Sequence, residues 1–109
     1  MLNQAIVVGR LTSDGIVKDT ESGKKLSTIT LAVQRAYKNE NGDYDVDFID
    51  CTLWGDIASN TCEYCKKGDL VGVRGRIQTS TYETDDGQKR KVTEIIADKV
   101  TFLQSRKSE

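Results

Sequence analysis

Histidine is absent from this sequence of 109 residues, and so is proline. Histidine is the side chain most often used for acid–base catalysis, and it is a frequent zinc ligand. The sequence also has no Walker-type glycine loop and no Ser nucleophile elbow; residues 72–76 match a glycine loop only loosely and fall in a predicted strand. These absences count against an enzyme, and we predict neither a cofactor nor a metal ion.

Long apolar segments are also absent. No run of about 18 or more apolar residues is present that could form a transmembrane helix. The first residues lack the charged front and the small-residue cleavage site of a signal peptide. We therefore expect a cytoplasmic protein that is not bound to a membrane.

Cysteine is scarce, with only Cys51, Cys62 and Cys65. Structural disulfides are not expected in the predicted compartment. Cys62 and Cys65 have the spacing of a redox or zinc half-site, but zinc would need two further ligands. We interpret both as small apolar side chains on a helix face, because free cysteine is commonly buried.

Charge of neither sign dominates, since 16 Lys and Arg oppose 17 Asp and Glu for a net charge of −1. This balance argues against nucleic-acid binding, because such domains are usually basic overall. Basic residues nevertheless cluster, which leaves room for a local basic track and a moderate salt dependence of binding. The clusters are Lys24 and Lys25, Arg35 and Lys38, Arg74 and Arg76, and residues 89–91.

The segment at residues 45–54 carries the main functional signal. Side chains alternate between the two faces of a strand, so Ile49, Cys51 and Leu53 form one apolar row. The opposite row holds Phe48 and Trp54. Two large aromatic side chains therefore lie on the face away from the predicted core, where they need a partner.

The segment at residues 70–82 repeats this arrangement. The apolar residues Val71, Val73 and Ile77 are predicted to face the core. The other face carries Arg74, Arg76, Gln78 and Tyr82. Aromatic rings stack with unpaired bases and cations neutralise phosphates, so the two strands predict a sheet that binds single-stranded nucleic acid.

The remaining segments complete an all-β pattern. Strands are predicted at residues 3–11, 27–37 and 89–103, with hairpin tips at 39–43 and 83–88 marked by Asn-Gly and Asp-Gly pairs. A short helix is predicted at residues 57–67, with Asp56 as its N-cap and two lysines in its last turn. This order matches a five-stranded Greek-key OB-fold barrel with one helix between strands three and four. The domain is predicted to cover residues 1–104, followed by a polar tail at 105–109.

Four segments resemble the bacterial single-stranded DNA-binding proteins. They are NQAIVVGRL at residues 3–11, DCTLWG at 50–55, KGDLVGVRGRI at 67–77 and TEIIA at 93–97. The resemblance implies an OB-fold that assembles as a homotetramer and binds single-stranded DNA. It also implies that the first strand takes part in dimer formation, which fits the apolar residues on both of its faces.

The predicted site follows from the strand pattern and this resemblance together. The predicted base-stacking residues are Tyr37, Phe48, Trp54 and Tyr82. The predicted phosphate contacts are Arg35, Lys38, Arg74, Arg76, Lys89, Arg90 and Lys91. The predicted oligomer contacts are Asn3, Ala5, Ile6, Val7 and Val8.

Two departures from the family pattern stand out. Asp50, Asp56 and Gln78 occupy positions where relatives commonly have Lys or Arg, which affects affinity and salt dependence. The acidic C-terminal tip through which relatives recruit partner enzymes is also missing from this sequence.

Three alternatives stay open at this point. The outward aromatic residues could serve subunit or protein interfaces, and the same stacking face could bind RNA. The acids Asp43, Asp45, Asp47 and Asp50 could hold a metal ion in a nuclease, although a solvated strand edge explains them better. The main prediction is sequence-independent protection of single-stranded DNA in replication, recombination, repair or DNA uptake.

Overall fold

A computed structural model describes residues 1–106 of the chain. The strands are β1 (Ala5–Leu11), β2 (Lys18–Asp19), β3 (Lys25–Lys38), β4 (Tyr44–Trp54), β5 (Leu70–Glu83) and β6 (Lys89–Gln104). The helix α1 (Asp56–Tyr64) lies between β4 and β5. It falls short of the length and apolar character that a membrane crossing requires, and no other helix within residues 1–106 meets them.

The five long strands close into a barrel. Their order is β1-β5-β6-β4-β3, and β3 pairs again with β1 through Arg10 and Ala32 to complete the circuit. The two-residue β2 is added to β3 as a short extra strand. Closure pairs the edges that an open sheet would leave exposed. The predicted OB-fold is confirmed, and β2 is a short strand in addition to the five of the barrel.

The barrel interior is built from the apolar rows that strand alternation predicts. Ile29 and Leu31 of β3, Cys51 and Leu53 of β4, and Val71 and Val73 of β5 are all buried, as the sequence predicted. Burial raises the pKa of the Cys51 thiol to about 12, so this cysteine is a packed apolar group at neutral pH. Ile77 is an exception: it is about half exposed, because β5 runs beyond the barrel there into its hairpin with β6.

The helix is shorter than predicted, and its N-cap is different. Gly55 is the N-cap, with φ of 65°, and Asp56 already belongs to the first turn. The helix ends at Tyr64 because Cys65 is extended, so Lys66 and Lys67 follow the helix instead of forming its last turn. The predicted role of the lysines is still met in part, since Nζ of Lys66 donates to the carbonyl oxygen of Cys62 at 3.1 Å.

Three turns of the same kind connect neighbouring strands, at residues 20–24, 39–43 and 84–88. In each, the first residue's amide donates to the carbonyl of the fifth, and the glycine donates back to the first. Only the glycine has positive φ, as at Gly42 and Gly87. The Asn-Gly and Asp-Gly pairs therefore do mark turns, but of the three-residue type with a left-handed glycine.

Candidate nucleic-acid interface

The outward face of β3 and β4 forms the centre of the candidate site. Strand register places Phe48 opposite Ala32 and Trp54 opposite Leu26. The Phe48 side chain is 67% exposed and that of Trp54 is 42% exposed. Because Ala32 is small, the ring of Phe48 has open space beside it on the sheet. Neither ring is packed inside the barrel, so both are available for stacking.

The hairpin of β5 and β6 continues this face. The Thr52 hydroxyl, on the Phe48 side of β4, donates to Oε2 of Glu94 on β6 at 2.6 Å. Glu94 lies opposite Gln78, and Tyr82 lies opposite Arg90 on the same side of the hairpin. The Thr52–Glu94 contact thus joins the aromatic residues of β4 to Tyr82, which is 54% exposed. Arg76 shares this side by alternation with Gln78.

Tyr37 sits where β3 is irregular. The pairing of β3 with β4 shifts between Gln34 and Lys38, which marks an irregularity in the strand. The Tyr37 side chain is 74% exposed. It is the most exposed of the four predicted stacking residues, at the rim of the sheet.

The predicted phosphate contacts do not form one continuous track. Arg90 shares the face of Tyr82, but Lys89 and Lys91 pair with Glu83 and Thr81 and point to the other face of the hairpin. The three consecutive basic residues at 89–91 are therefore divided between two surfaces, as alternation along a strand requires. Nη2 of Arg90 contacts Oε1 of Gln88 at 2.9 Å.

Two of the predicted arginines already have carboxylate partners. Arg35 donates to both carboxylate oxygens of Asp47, from Nε at 3.0 Å and Nη2 at 2.9 Å. This contact lowers the pKa of Asp47 and raises that of Arg35. Arg74 donates to Asp98 at 2.9 Å and lies opposite Ile6 of β1. A phosphate would have to compete with these carboxylates for either arginine.

The acidic residues of β4 lie mostly away from the aromatic ones. Asp45 and Asp47 share the face of Ile49, where Arg35 approaches both. Asp50 is the acid on the Phe48 face, and it accepts a hydrogen bond from Thr30 at 2.7 Å. Within residues 1–106, no three His, Cys, Asp or Glu side chains are arranged to hold a metal ion.

Sequence reasoning missed two residues of this surface. Tyr44 shares the face of Phe48 and is about half exposed, and Nζ of Lys38 lies 5.9 Å from the centre of its ring. Its even position in β4 was the signal that could have identified it. Lys24 lines two hollows beside Trp54. No local pattern indicates this, because residues 24 and 54 are far apart in the chain.

The predicted oligomer residues divide by face. Ile6 and Val8 point outward from β1, with 68% and 47% of their surface exposed. Ala5 and Val7 instead pack against the core of their own chain. The Asn3 amide bonds both backbone groups of Ile77, at 2.8 and 2.9 Å.

The outward apolar surface of β1 extends onto neighbouring strands. A Cβ added to Gly72 of β5 would lie 3.7 Å from both Val8 and Leu103. Leu103 of β6 is itself about half exposed. Ile6, Val8 and Leu103 thus form an apolar patch with Gly72 between them.

Residues 2–103 match the Single-strand binding protein family. The chain belongs to this family. The match covers every strand and the helix, except for the last residue of β6.

Individual members of the family are similar over most of the chain. Single-stranded DNA-binding protein B of Bacillus subtilis is 48% identical over 103 residues, which cover 94% of this chain and 91% of that protein. The Single-stranded DNA-binding protein of Bacillus cereus is 47% identical over 106 residues, with 97% and 62% covered. Single-stranded DNA-binding protein 3 of Listeria innocua is 45% identical over 108 residues, with 99% and 68% covered. The chain therefore spans most of one relative and about two thirds of the others.

Proposed function

We propose that this chain binds single-stranded DNA without sequence preference, on the continuous face that carries Phe48, Trp54 and Tyr82. The observation behind this proposal is that three large aromatic side chains stand exposed on one surface joined through Thr52 and Glu94. Each stacked base contributes about 1 to 3 kcal/mol and needs no particular base identity. Tyr37, exposed at the rim of the sheet where β3 is irregular, is a further stacking residue in this proposal.

Phosphate contacts are assigned first to the cations that have no carboxylate partner among residues 1–106. On the aromatic face these are Arg76 and Arg90, with Lys38 at the rim beside Tyr44. Lys89 and Lys91 contact phosphates where the DNA passes around the β5–β6 hairpin. Arg35 and Arg74 remain candidates whose charge is already compensated, so they contribute less to the affinity.

The proposal is for binding and protection, with no chemical step. Bases are held apart on the aromatic rings, and cations neutralise the backbone. The domain responsible covers residues 1–104. The processes this would serve are those that expose single strands: replication, recombination, repair or DNA uptake.

We further propose a homotetramer in which Ile6 and Val8 bury their exposed surface against another copy. An exposed apolar patch of this kind commonly marks an interface between protein chains. Ala5 and Val7 hold β1 to the barrel, and Asn3 fixes the start of the chain to β5, so these three support the interface from within.

Two substitutions test the proposed division of labour. Trp54→Ala should weaken binding to a thymine oligonucleotide by about 1 to 3 kcal/mol and leave the salt dependence unchanged. Arg76→Ala should make the slope of log K against log salt shallower by about 0.7, because one phosphate contact is lost. Titrations at several salt concentrations measure both quantities. If the two variants changed affinity and slope alike, the assigned roles would be wrong.

The intrinsic fluorescence of Trp54 supplies a direct readout, because it is the single tryptophan of the chain. Saturating poly-dT should quench it when bases stack there. Unquenched fluorescence at saturation would favour an interface role for Trp54. A parallel titration with poly-U separates DNA binding from RNA binding.

A further inference from the structure

The turn between β2 and β3 lies close to Trp54. Register pairs Leu26 with Trp54, so Leu26 and Trp54 share the outward face of the sheet. Lys24 precedes Leu26 by two residues and continues on the same side, at a diagonal position to Trp54. Two segments 30 residues apart in the chain thus place Lys24 and Trp54 on one surface, where both line the same hollows.

Two separate hollows open beside the Trp54 ring. One has a volume of about 450 Å³ and is lined by Thr20, Ser22, Lys24 and Trp54. The other has a volume of about 500 Å³ and is lined by Gly23, Lys24, Lys25, Trp54, Gly55 and Asp56. Both volumes lie in the range of small-ligand sites, about 300 to 1,000 Å³. Trp54 and Lys24 line both hollows, so the two hollows meet beside these residues.

The charges around the two hollows indicate that Lys24 is the residue that would bind an anion. The neighbouring Lys25 is paired with Asp19 at 3.2 Å, so its charge is compensated. The Lys24 ammonium has no hydrogen-bond or ion-pair partner among the side chains of residues 1–106, and its backbone is held by a bond to Oγ1 of Thr20 at 3.1 Å. Asp56 lines the second hollow and would repel an anion there. The edge shared by both hollows is therefore the position where an anion would bind.

We propose that two consecutive bases occupy these hollows, with the Trp54 ring between them and Lys24 on the phosphate that joins them. This inference rests on the proposed single-strand binding and adds to it a defined two-nucleotide subsite. A ring with open space on both sides can stack with two bases, whereas one lying flat on a sheet can stack with one. Thr20 and Ser22 line the first hollow, and their hydroxyls, which contact each other at 3.1 Å, supply polar groups beside it for a base edge.

The phosphate contact is tested with Lys24→Gln, which removes the charge and keeps the backbone bond to Thr20. Binding of a thymine oligomer of about twelve nucleotides, within the span of one OB-fold, is titrated at several salt concentrations. We expect about a fivefold loss of affinity at low salt. The slope of log K against log salt should be shallower by about 0.7. Lys24→Arg should restore both values.

Lys18→Gln is the matched control, because Lys18 is exposed on the same hairpin but lines a different hollow. Its affinity should stay within about twofold of the unmodified protein. A salt slope for Lys24→Gln equal to that of the unmodified protein would overturn the inference while leaving single-strand binding intact. An unmodified protein that fails to bind the oligomer would overturn the proposed function itself.

The two-base arrangement is tested separately with Ser22→Leu, which fills the first hollow with an aliphatic side chain. Loss of one stacked base should weaken binding by about fivefold or more without a change in salt slope. An affinity equal to that of the unmodified protein would reduce the subsite to a single base and overturn the two-base arrangement.

Discussion

Arg35 and Asp47 illustrate how one contact changes the expected role of a residue. Arg35 belongs to the basic cluster that the sequence assigns to phosphate binding, yet its guanidinium forms two parallel hydrogen bonds with Asp47. Paired geometry of this kind is among the stronger charge contacts available to arginine. In the proposed binding mode, the Asp47 carboxylate would therefore compete with a DNA phosphate for Arg35.

Asp47→Asn should release Arg35 and strengthen DNA binding. The closer of the two carboxylates paired with Arg35 is lost, while Asp45 stays at 3.6 Å. The slope of log K against log salt should therefore become steeper by at most about 0.7, one added phosphate contact. Salt titrations with a thymine oligomer measure this change. Asp43→Asn removes an acid at the turn that is not paired with Arg35, and it serves as the control. A steeper slope in both variants would point to general charge effects and contradict the competition.

The same pair predicts a response to pH. Arg35 lowers the pKa of Asp47 below its ordinary value of 3.8, because it stabilises the carboxylate. The contribution of this pair to folding is therefore complete above pH 3.8 and is lost as the pH falls through the lower folded-state value. Both side chains are exposed, so the effect on stability is small. Asp47→Asn should remove this acid-dependent component from unfolding curves measured between pH 5 and 2.

Among the strands, β5 contains the closest backbone approach. The β5–β6 register shifts next to Gly75, and a Cβ added to Gly75 would clash with the backbone carbonyl of Ile96. No side-chain rotation can relieve a clash with backbone. Glycine is thus required where the barrel strand bends into the hairpin that carries Tyr82.

Gly75→Ala should lower the free energy of unfolding by about 1 to 3 kcal/mol, since the two strands must separate to admit a methyl group. Urea unfolding followed by Trp54 fluorescence measures the loss. Gly72→Ala is the matched control in the same strand, because its Cβ would meet no atom closer than 3.7 Å. Equal stability of the two variants would show that β5 and β6 adjust without cost.

For the molecule as a whole, the proposed assembly depends on the outer surface of β1. Ile6 and Val8 contribute little to the core of their own chain, because both are exposed. Substitution there should leave the barrel folded and affect contacts between copies. This property separates a role in assembly from a role in folding.

The double substitution Ile6→Glu and Val8→Glu should convert the proposed tetramer to smaller species, because charged side chains would be buried in the interface. Native mass spectrometry with and without a thymine oligomer reports subunit number and binding together. Ile16→Glu, at an exposed isoleucine outside β1, is the control. A double variant that kept its full mass would place the interface elsewhere.

The order of the strands, turns and helix was enough to derive the fold class, and alternation along each strand gave the core rows of β3 and β4 and the outward positions of Phe48, Trp54 and Tyr82. The reason is that side-chain direction in a strand is a local property that repeats every two residues. Helix limits were less accurate, because Gly55 took the cap position assigned to Asp56. Ile77 was misplaced because alternation gives no information on where a strand leaves the barrel.

The pairing of charges and the joining of surfaces depended on contacts between distant segments. Arg35 with Asp47, Thr52 with Glu94 and Lys24 beside Trp54 each combine residues from different strands or turns. Their proximity follows from strand register and barrel closure, which no local pattern contains. Alternation in the sequence therefore identified the outward aromatic rings. Only the closed barrel determined which cations and hollows lie beside them.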